Sequence, residues 1–592
     1  MESRPLPMRP AAAAALLLAA VVGCGGGGGG DGQPADTIPQ PQVAASRDGV
    51  LELTLRQAPA KVEVAGTTIT SNVFNDTYVP PVIKLGRGDR LALTLRNRIG
   101  KADVQIDGPQ ETNLHYHGMS ISPLAPADDI FLHVGAGADY LYTWRVPMDH
   151  PQGTHWYHPH PHGLVEPQIL SGMSGLMVID GLLDHFPAFA GLTERHFLLK
   201  DIQLPGADDG APLTKTINGV LGGTLNLRPG EMQVWHVGNV GADAYFDLAI
   251  DGLQWWEIAR DGNVRARPEA RTSLFLPPGS RSTLIVRAAD AAGSYAIRTL
   301  AVDTGPQGDP NPEVRLATLA VGGQPQDTAN LLARIDEPAV RRDTLTPEQV
   351  AALPITRRRT VVFSETADGN TFFIDGKEYD VGRDDVTVNL GDVEEWTIRN
   401  VSGERHVFHI HQLDFLVTSI NNEDVDERGL RDVIDLPFQQ NGVPGEVKVI
   451  IPFTNPLMIG RFVFHCHIVE HEDGGMMANI VVLPPGQSAL PAARMNVIQT
   501  TSLASTWKSM LPPRHQPATG ATGAVGGCHL PLGWPHRGGR GGAFHAIAAL
   551  GPSPCPVHVR GRDRRGHSPR PEAMQSAQPS KPTMRSESDS KR

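Results

Sequence analysis

"HCHIVEHEDGGMM", residues 465–477, sets a cysteine between two histidines and follows it with His471 and the pair Met476–Met477. Neighbouring side chains of a β-strand point to opposite faces. A strand here therefore sends Cys466 one way and His465 and His467 the other. Three further His-x-His pairs stand out elsewhere in the chain: His115/His117, His158/His160 and His409/His411. Positions i and i+2 of a strand share a face about 7 Å apart, so each pair can present two imidazoles to one place. Four pairs, two early and two late, supply eight imidazoles, enough for more than one metal ion.

The remaining donors have the opposite parity. His406 precedes His409 by three residues, an odd offset that puts it on the other face of a regular strand. His471 and Met476 follow Cys466 by five and ten residues, across a stretch with Gly474 and Gly475 that reads as a turn. Two histidines, a thiolate and a weak thioether are the ligand set of a blue-copper electron-transfer centre. One short strand is thus expected to serve two metal sites, one on each face. A hydrolytic zinc site also uses histidines and an acid, but it needs no thiolate between two other ligands.

An internal repeat frames these motifs. "GDRLALTLRN" (88–97), "GEMQVWHVGN" (230–239) and "GDVEEWTIRN" (391–400) share a glycine, an acid, a strand-like middle and a closing asparagine. The alternation of Leu91, Leu93 and Leu95 marks half-buried β-structure. Three copies about 140–160 residues apart predict three similar β-sandwich domains. "NLHYHG" follows the first copy and "HVFHIHQ" the third, whereas "YFDLAIDG" follows the second. Asp247 and Ala249 stand where His409 and His411 stand in the third, so the middle domain is expected to carry no metal.

Composition sets the outer limits. The 592 residues are 40% hydrophobic and 20% charged, with 63 glycines and 50 prolines, which suits many short strands joined by turns. From Gln487 onward 14 Lys and Arg face 4 Asp and Glu, while the rest carries 38 basic and 60 acidic residues. An acidic body argues against nucleic acid as a partner. Residues 486–592 lose apolar periodicity and read as a disordered basic tail. At the other end, Arg4 and Arg9 precede an apolar run from Ala11 to Val22, and "VVGC" (21–24) closes it. Residues 1–24 therefore read as a lipoprotein-type signal peptide, with Cys24 as a lipid anchor on the periplasmic side. Residues 25–45 read as a glycine-rich linker. Setting aside Cys24, Cys528 and Cys555, Cys466 is the body's one cysteine, which favours metal over disulfide chemistry.

Taken together, "HYHG" (115–118), "HPH" within "HWYHPHPHG" (155–163), "HVFHIH" (406–411) and "HCHIVEHEDGGM" (465–476) resemble the four motifs of three-domain multicopper oxidases of the bacterial laccase type. The resemblance covers roughly residues 46–485. Tyr116 stands where Trp or Phe is usual and Val407 where Pro is usual; neither is a ligand. It implies an all-β fold of three consecutive cupredoxin-like Greek-key β-sandwich domains, at 46–185, 190–325 and 355–485. It also implies four copper ions. The type 1 copper would take His406, Cys466, His471 and axial Met476, and the type 2 copper His115 and His409. The type 3 pair would take His117, His158 and His467 on one ion and His160, His411 and His465 on the other.

The activity implied is one-electron oxidation of a small donor, a phenol or aromatic amine, coupled to reduction of O2 to water. Glu472 resembles a proton-relay acid, and Asp128 is the second such candidate, with Asp129 as its alternative. His133, His150, His155, His162 and His196 are expected to pack or hydrogen-bond rather than ligate. Cuprous oxidases usually carry a methionine-rich insertion, and 14 methionines form no such cluster here. Metal-ion oxidation is the second reading, and a non-catalytic structural relative the third. A monomer is the favoured state.

Overall fold

The computed structural model describes residues 35–487, apart from 105, 107, 208–210, 341–343, 368 and 426–428. The signal-peptide reading, the glycine run and the tail reading beyond 487 lie outside the described residues. Among those described, thirty-one strands form six sheets, joined by a few short helices. No described helix is long and apolar enough to cross a membrane.

The sheets face each other in pairs, each pair around its own core. In the first, Leu51, Leu91, Leu93 and Leu95 of one sheet pack on Ile83, Tyr116, Tyr157 and Met177 of the other. The second core is built around Phe197, Trp235, Phe246 and Trp255, and the third around Trp396, Phe408, Phe464 and Ile480. Alternation explains these layers. Leu91, Leu93 and Leu95 are wholly buried on the strand Arg90–Asn97, while the residues between them are partly exposed.

The repeated decapeptides become equivalent central strands: Arg90–Asn97, Met232–Asn239 and Val393–Asn400. Their closing asparagines share one task. Asn97, Asn239 and Asn400 are fully buried, and each Nδ2 donates to a backbone carbonyl, of Val134, Leu276 and Leu436 or Glu404. Each Oδ1 accepts from the backbone N–H two residues on, in Ile99, Gly241 and Ser402. A buried amide so satisfied fixes the path of the loop leaving the strand.

The strand Phe246–Ile250 holds the same place in its sheet as His406–Ile410 does in the third sandwich. The "FDLA" and "FHIH" stretches are therefore structural counterparts. Residues 35–45 differ from the expected linker. Val43–Ala45 is a strand pairing in parallel with Val82–Leu85. Just before it, Ile38 is buried in the second core and Asp36 pairs with Arg195. The polypeptide here straps the first two sandwiches together, because an apolar Ile38 flanked by polar anchors gains more by docking than by staying solvated.

Candidate metal centre

All eight paired histidines converge where the first and third sandwiches meet. Two strands of the first bring their share, His115–His117 pairing antiparallel with Thr154–His158 so that His115 faces His158. In the third, His406–Ile410 pairs with Gly460–Cys466, which sets His409 opposite His465 and Phe408 opposite Cys466. Across the junction His115 stacks on His411 at 3.8 Å between ring centroids and His117 on His409 at 3.9 Å. His465 Nε2 lies 3.2 Å from His411 Nε2 and 3.4 Å from His160 Nε2, and His467 Nε2 lies 3.2 Å from His117 Nδ1. His158 completes the ring of imidazoles, 5.8 Å from His467 between centroids.

The chemistry of this cluster calls for cations. Burial, reinforced by the neighbouring imidazoles, pushes His117, His158, His409 and His411 well below the usual histidine range, and takes His160 and His467 to about 3. Burial thus favours the neutral form of these six rings, and His115 Nε2, His117 Nε2, His158 Nε2 and His409 Nε2 are buried nitrogens with no hydrogen-bond partner. Unsatisfied buried nitrogens are costly unless a metal takes their lone pairs. The donor atoms of His160, His411 and His465 lie within 4.8 Å of one another, as do those of His115, His117 and His158.

On the opposite face, Cys466 Sγ lies 3.8 Å from His406 Nδ1 and 3.6 Å from His471 Nδ1, and the two imidazole nitrogens are 3.0 Å apart. The segment after Cys466 is a short helix, Val469–Asp473, closed by the expected turn at Gly474 and Gly475. It presents His471 to the sulfur and, one residue on, turns Glu472 toward the histidine cluster. Met476 is fully buried, its N–H bonded to His471 O and its carbonyl to Cys466 N–H. Burial pushes the Cys466 thiol upward. An ionised sulfur here therefore needs a cation beside it, which fits a thiolate-ligated metal.

Of the two adjacent acids, the structure brings Asp128 to the site. It lies 2.9 Å from His115 Nδ1 and accepts from Tyr116 N–H and, at 2.6 Å, from Gln412 Nε2. Asp129 instead accepts from the N–H of Phe131. Glu472 Oε2 lies 3.0 Å from His465 Nδ1 and its Oε1 3.4 Å from His160 Nε2. Burial opposes its ionisation, but His160 and His465 outweigh this and hold it at about 2.

His133 pairs with Glu111 on the surface, His150 packs on His155, His162 on Tyr379, and His196 stacks on His236. Residues that motif reading missed line the approaches. Glu404 Oε1 sits 3.1 Å from His471 Nε2, and Phe372 stacks on the same ring at 4.2 Å between centroids. Both open on a cavity of about 420 Å3 that Glu166, Asp243, Asp309 and Glu470 also line. A second cavity, of about 540 Å3, reaches Gln412 beside His150 and Asp414. Glu404 stands only two residues before His406, a position that could have drawn notice; Phe372 carries no such signal.

Comparison with known proteins places this geometry. Three multicopper oxidase family models match residues 57–183, 178–324 and 353–486. The multicopper oxidase mco of Staphylococcus haemolyticus is 25% identical over 75% of this chain and 91% of its own length. A laccase of Haloferax volcanii is 26% identical over 73% of this chain and 80% of its own. The cell division protein FtsP of Edwardsiella tarda is 24% identical over 76% and 93%. Among solved structures, a Campylobacter jejuni protein described as a metallo-oxidase superposes with a TM-score of 0.61 at 23% identity. It covers 75% of this chain and 96% of its own, and bears out the all-β, three-sandwich architecture.

Proposed function

Since the chain belongs to the multicopper oxidase family, we propose that it is a laccase-like enzyme coupling one-electron oxidation of a small donor to reduction of O2. The observation that carries this is the strand around Cys466. It joins a Cys-His-His pocket on one face to eight converging histidines on the other. In this reading His406, Cys466, His471 and Met476 hold a type 1 copper, and His115 with His409 a type 2 copper. His117, His158 and His467 hold one type 3 ion, and His160, His411 and His465 the other. Bound copper supplies reversible one-electron chemistry at the first site and four-electron O2 reduction to water at the second.

The protein's own groups arrange the rest. His471 turns its Nε2 edge to the smaller cavity, so a donor can approach without entering the core. Cys466 is bonded through the backbone to both His465 and His467, which gives a short covalent route between the sites. Glu472 and Asp128 each touch a cluster histidine, where carboxylates can hold and deliver the protons that water formation consumes. Gln412 connects Asp128 to the larger cavity, a path for protons from solvent.

Acidic groups line the cavity over His471, but burial and neighbouring carboxylates raise the Glu404 carboxyl to about 10 and that of Glu166 to about 7, so the lining does not single out cationic donors, and phenols, aromatic amines and metal ions are all candidates. A purely structural role is disfavoured because all twelve ligand positions of the family's motifs carry a metal-binding side chain. The chain is proposed to be exported and lipidated at Cys24, which mass spectrometry of the mature N-terminus tests. The deciding experiment for activity is oxygen uptake by copper-loaded protein with a phenol, an aromatic amine or Cu(I). Uptake with none of them, in protein that is visibly blue, overturns the oxidase reading.

A further inference from the structure

The middle sandwich contributes no histidine to the cluster, yet one of its loops reaches it. Gly279 has φ +86°, and a Cβ there would stand 2.8 Å from Cδ2 of His467. Two residues on, Arg281 is wholly buried. Its Nε donates to Thr154 O of the first sandwich at 3.2 Å. Its backbone N–H donates to Asp261 Oδ1 of its own sandwich. Its Nη1 and Nη2 donate to the two carboxylate oxygens of Asp432 in the third, at 2.6 and 2.7 Å.

Asp432 is itself at the histidine cluster. Its carbonyl accepts from His409 Nδ1 at 2.7 Å, and its Oδ1 lies 3.5 Å from His117 Nε2. The donor atoms of His117, His409 and Asp432 lie within 4.8 Å of one another, so they would make a three-ligand metal position on their own. The free Nε2 atoms of His117 and His409 strengthen the case. A buried carboxylate this close to two open imidazoles competes for any cation they bind.

We infer that Arg281 is a positioning residue that keeps Asp432 out of the metal ligand set, so that His117 and His409 remain on separate ions. The planar guanidinium suits this because it engages both carboxylate oxygens in fixed directions, which a lysine ammonium cannot. The same grip fixes the Asp432 carbonyl that orients His409. The metal-free sandwich thereby sets the coordination of a site to which it lends no ligand. The inference rests on the copper assignment proposed above.

The test uses full-length, copper-loaded protein with Arg281→Gln, Arg281→Lys, Asp432→Asn and the Arg281→Gln/Asp432→Asn double variant. Type 2 copper is read by electron paramagnetic resonance and copper per chain by elemental analysis. Arg281→Gln is expected to shift the type 2 hyperfine splitting and weaken type 2 copper affinity about 10- to 100-fold. The double variant is expected to return the wild-type spectrum, Asp432→Asn alone to keep it, and Arg281→Lys to fall between. Where Arg281→Gln does not fold, Arg281→Lys carries the comparison. An unshifted spectrum in folded, fully loaded Arg281 variants overturns the inference, as does a shift that Asp432→Asn fails to reverse. Wild-type protein with no type 2 signal overturns the copper assignment itself, and the inference with it.

Discussion

Replacing Gly279 by Ala probes the reach of the middle sandwich with a single methyl group. An L-residue in the left-handed region costs about 1–2 kcal/mol. The added Cβ would also lie 2.8 Å from Cδ2 and 3.0 Å from Nε2 of His467, where ordinary contacts begin at 3.4 Å. His467 has little room to retreat. Its Nε2 is 3.2 Å from His117, its ring is 5.4 Å from Trp156 between centroids, and its N–H is bonded to Val407 O. Overpacking of this kind adds about 1–3 kcal/mol. Gly252 supplies the control: it has φ +71° in the same sandwich, and a Cβ there meets nothing within 4 Å. Gly252→Ala should therefore show backbone strain alone. Gly279→Ala should unfold at lower temperature than Gly252→Ala and lose part of its cluster copper, measured by calorimetry and elemental analysis. Equal melting temperatures and equal copper content in the two variants would refute the argument that this loop braces His467.

Cys466→Ser should abolish the blue colour while keeping most copper at the histidine cluster; a variant that stays blue sinks the thiolate assignment. Glu472→Gln and Asp128→Asn should each lower kcat about 10²–10⁴-fold at saturating donor with the blue absorption intact, and unchanged turnover in steady-state assays excludes them as proton relays. Glu404→Leu, which removes the carboxyl beside His471 Nε2, should raise KM for both a phenol and an aromatic diamine, and unchanged KM for both removes its role in donor binding. Acid sensitivity is expected from Glu257 in the middle sandwich: burial pushes its carboxyl up, but Arg265, Arg260 and Arg271 reverse this and hold it at about 2, against an ordinary 4.5. Because the folded value is depressed, its contribution of about 3 kcal/mol is complete above pH 4.5 and fades as pH falls toward 2. The stability gap between wild type and Glu257→Gln, from denaturant unfolding, should narrow through that window, and a gap independent of pH refutes the linkage.

The converging histidines were legible because they form a local pattern. Strand parity alone separates Cys466 and His406 from His409, His465 and His467, and the structure keeps that division. The repeated decapeptides likewise announced three sandwiches, since a glycine, an alternating strand and a buried asparagine recur within ten residues. What stayed hidden is what depends on distant partners. Arg281 and Asp432 are 151 residues apart, and neither lies in a metal-ligand motif. Phe372 reaches His471 only through the folding of the third sandwich, and Gln412 reaches Asp128 only across the junction with the first. The strap at residues 35–45 was read from its flexible-looking approach, and Ile38 docks there because a matching apolar pocket exists in the second core. The turn read at Gly474 and Gly475 is present, and the helix Val469–Asp473 before it stayed hidden because five residues are too few to show a helical period.

The pairing of His409 with His465 and of Phe408 with Cys466 has a consequence for how such a protein can change. A slip of one residue in the strand Gly460–Cys466 would leave the composition as it is but exchange the faces of its side chains, taking Phe464 out of the third core. It would also turn the Cys466 sulfur toward the converging histidines and the His465 imidazole toward the Cys-His-His pocket. The molecule's polarity, its inlet and its outlet, is thus written in an alignment of two strands and not in any one side chain. A single insertion inside the strand Gly460–Cys466 would therefore exchange the sides to which Cys466 and His465 point.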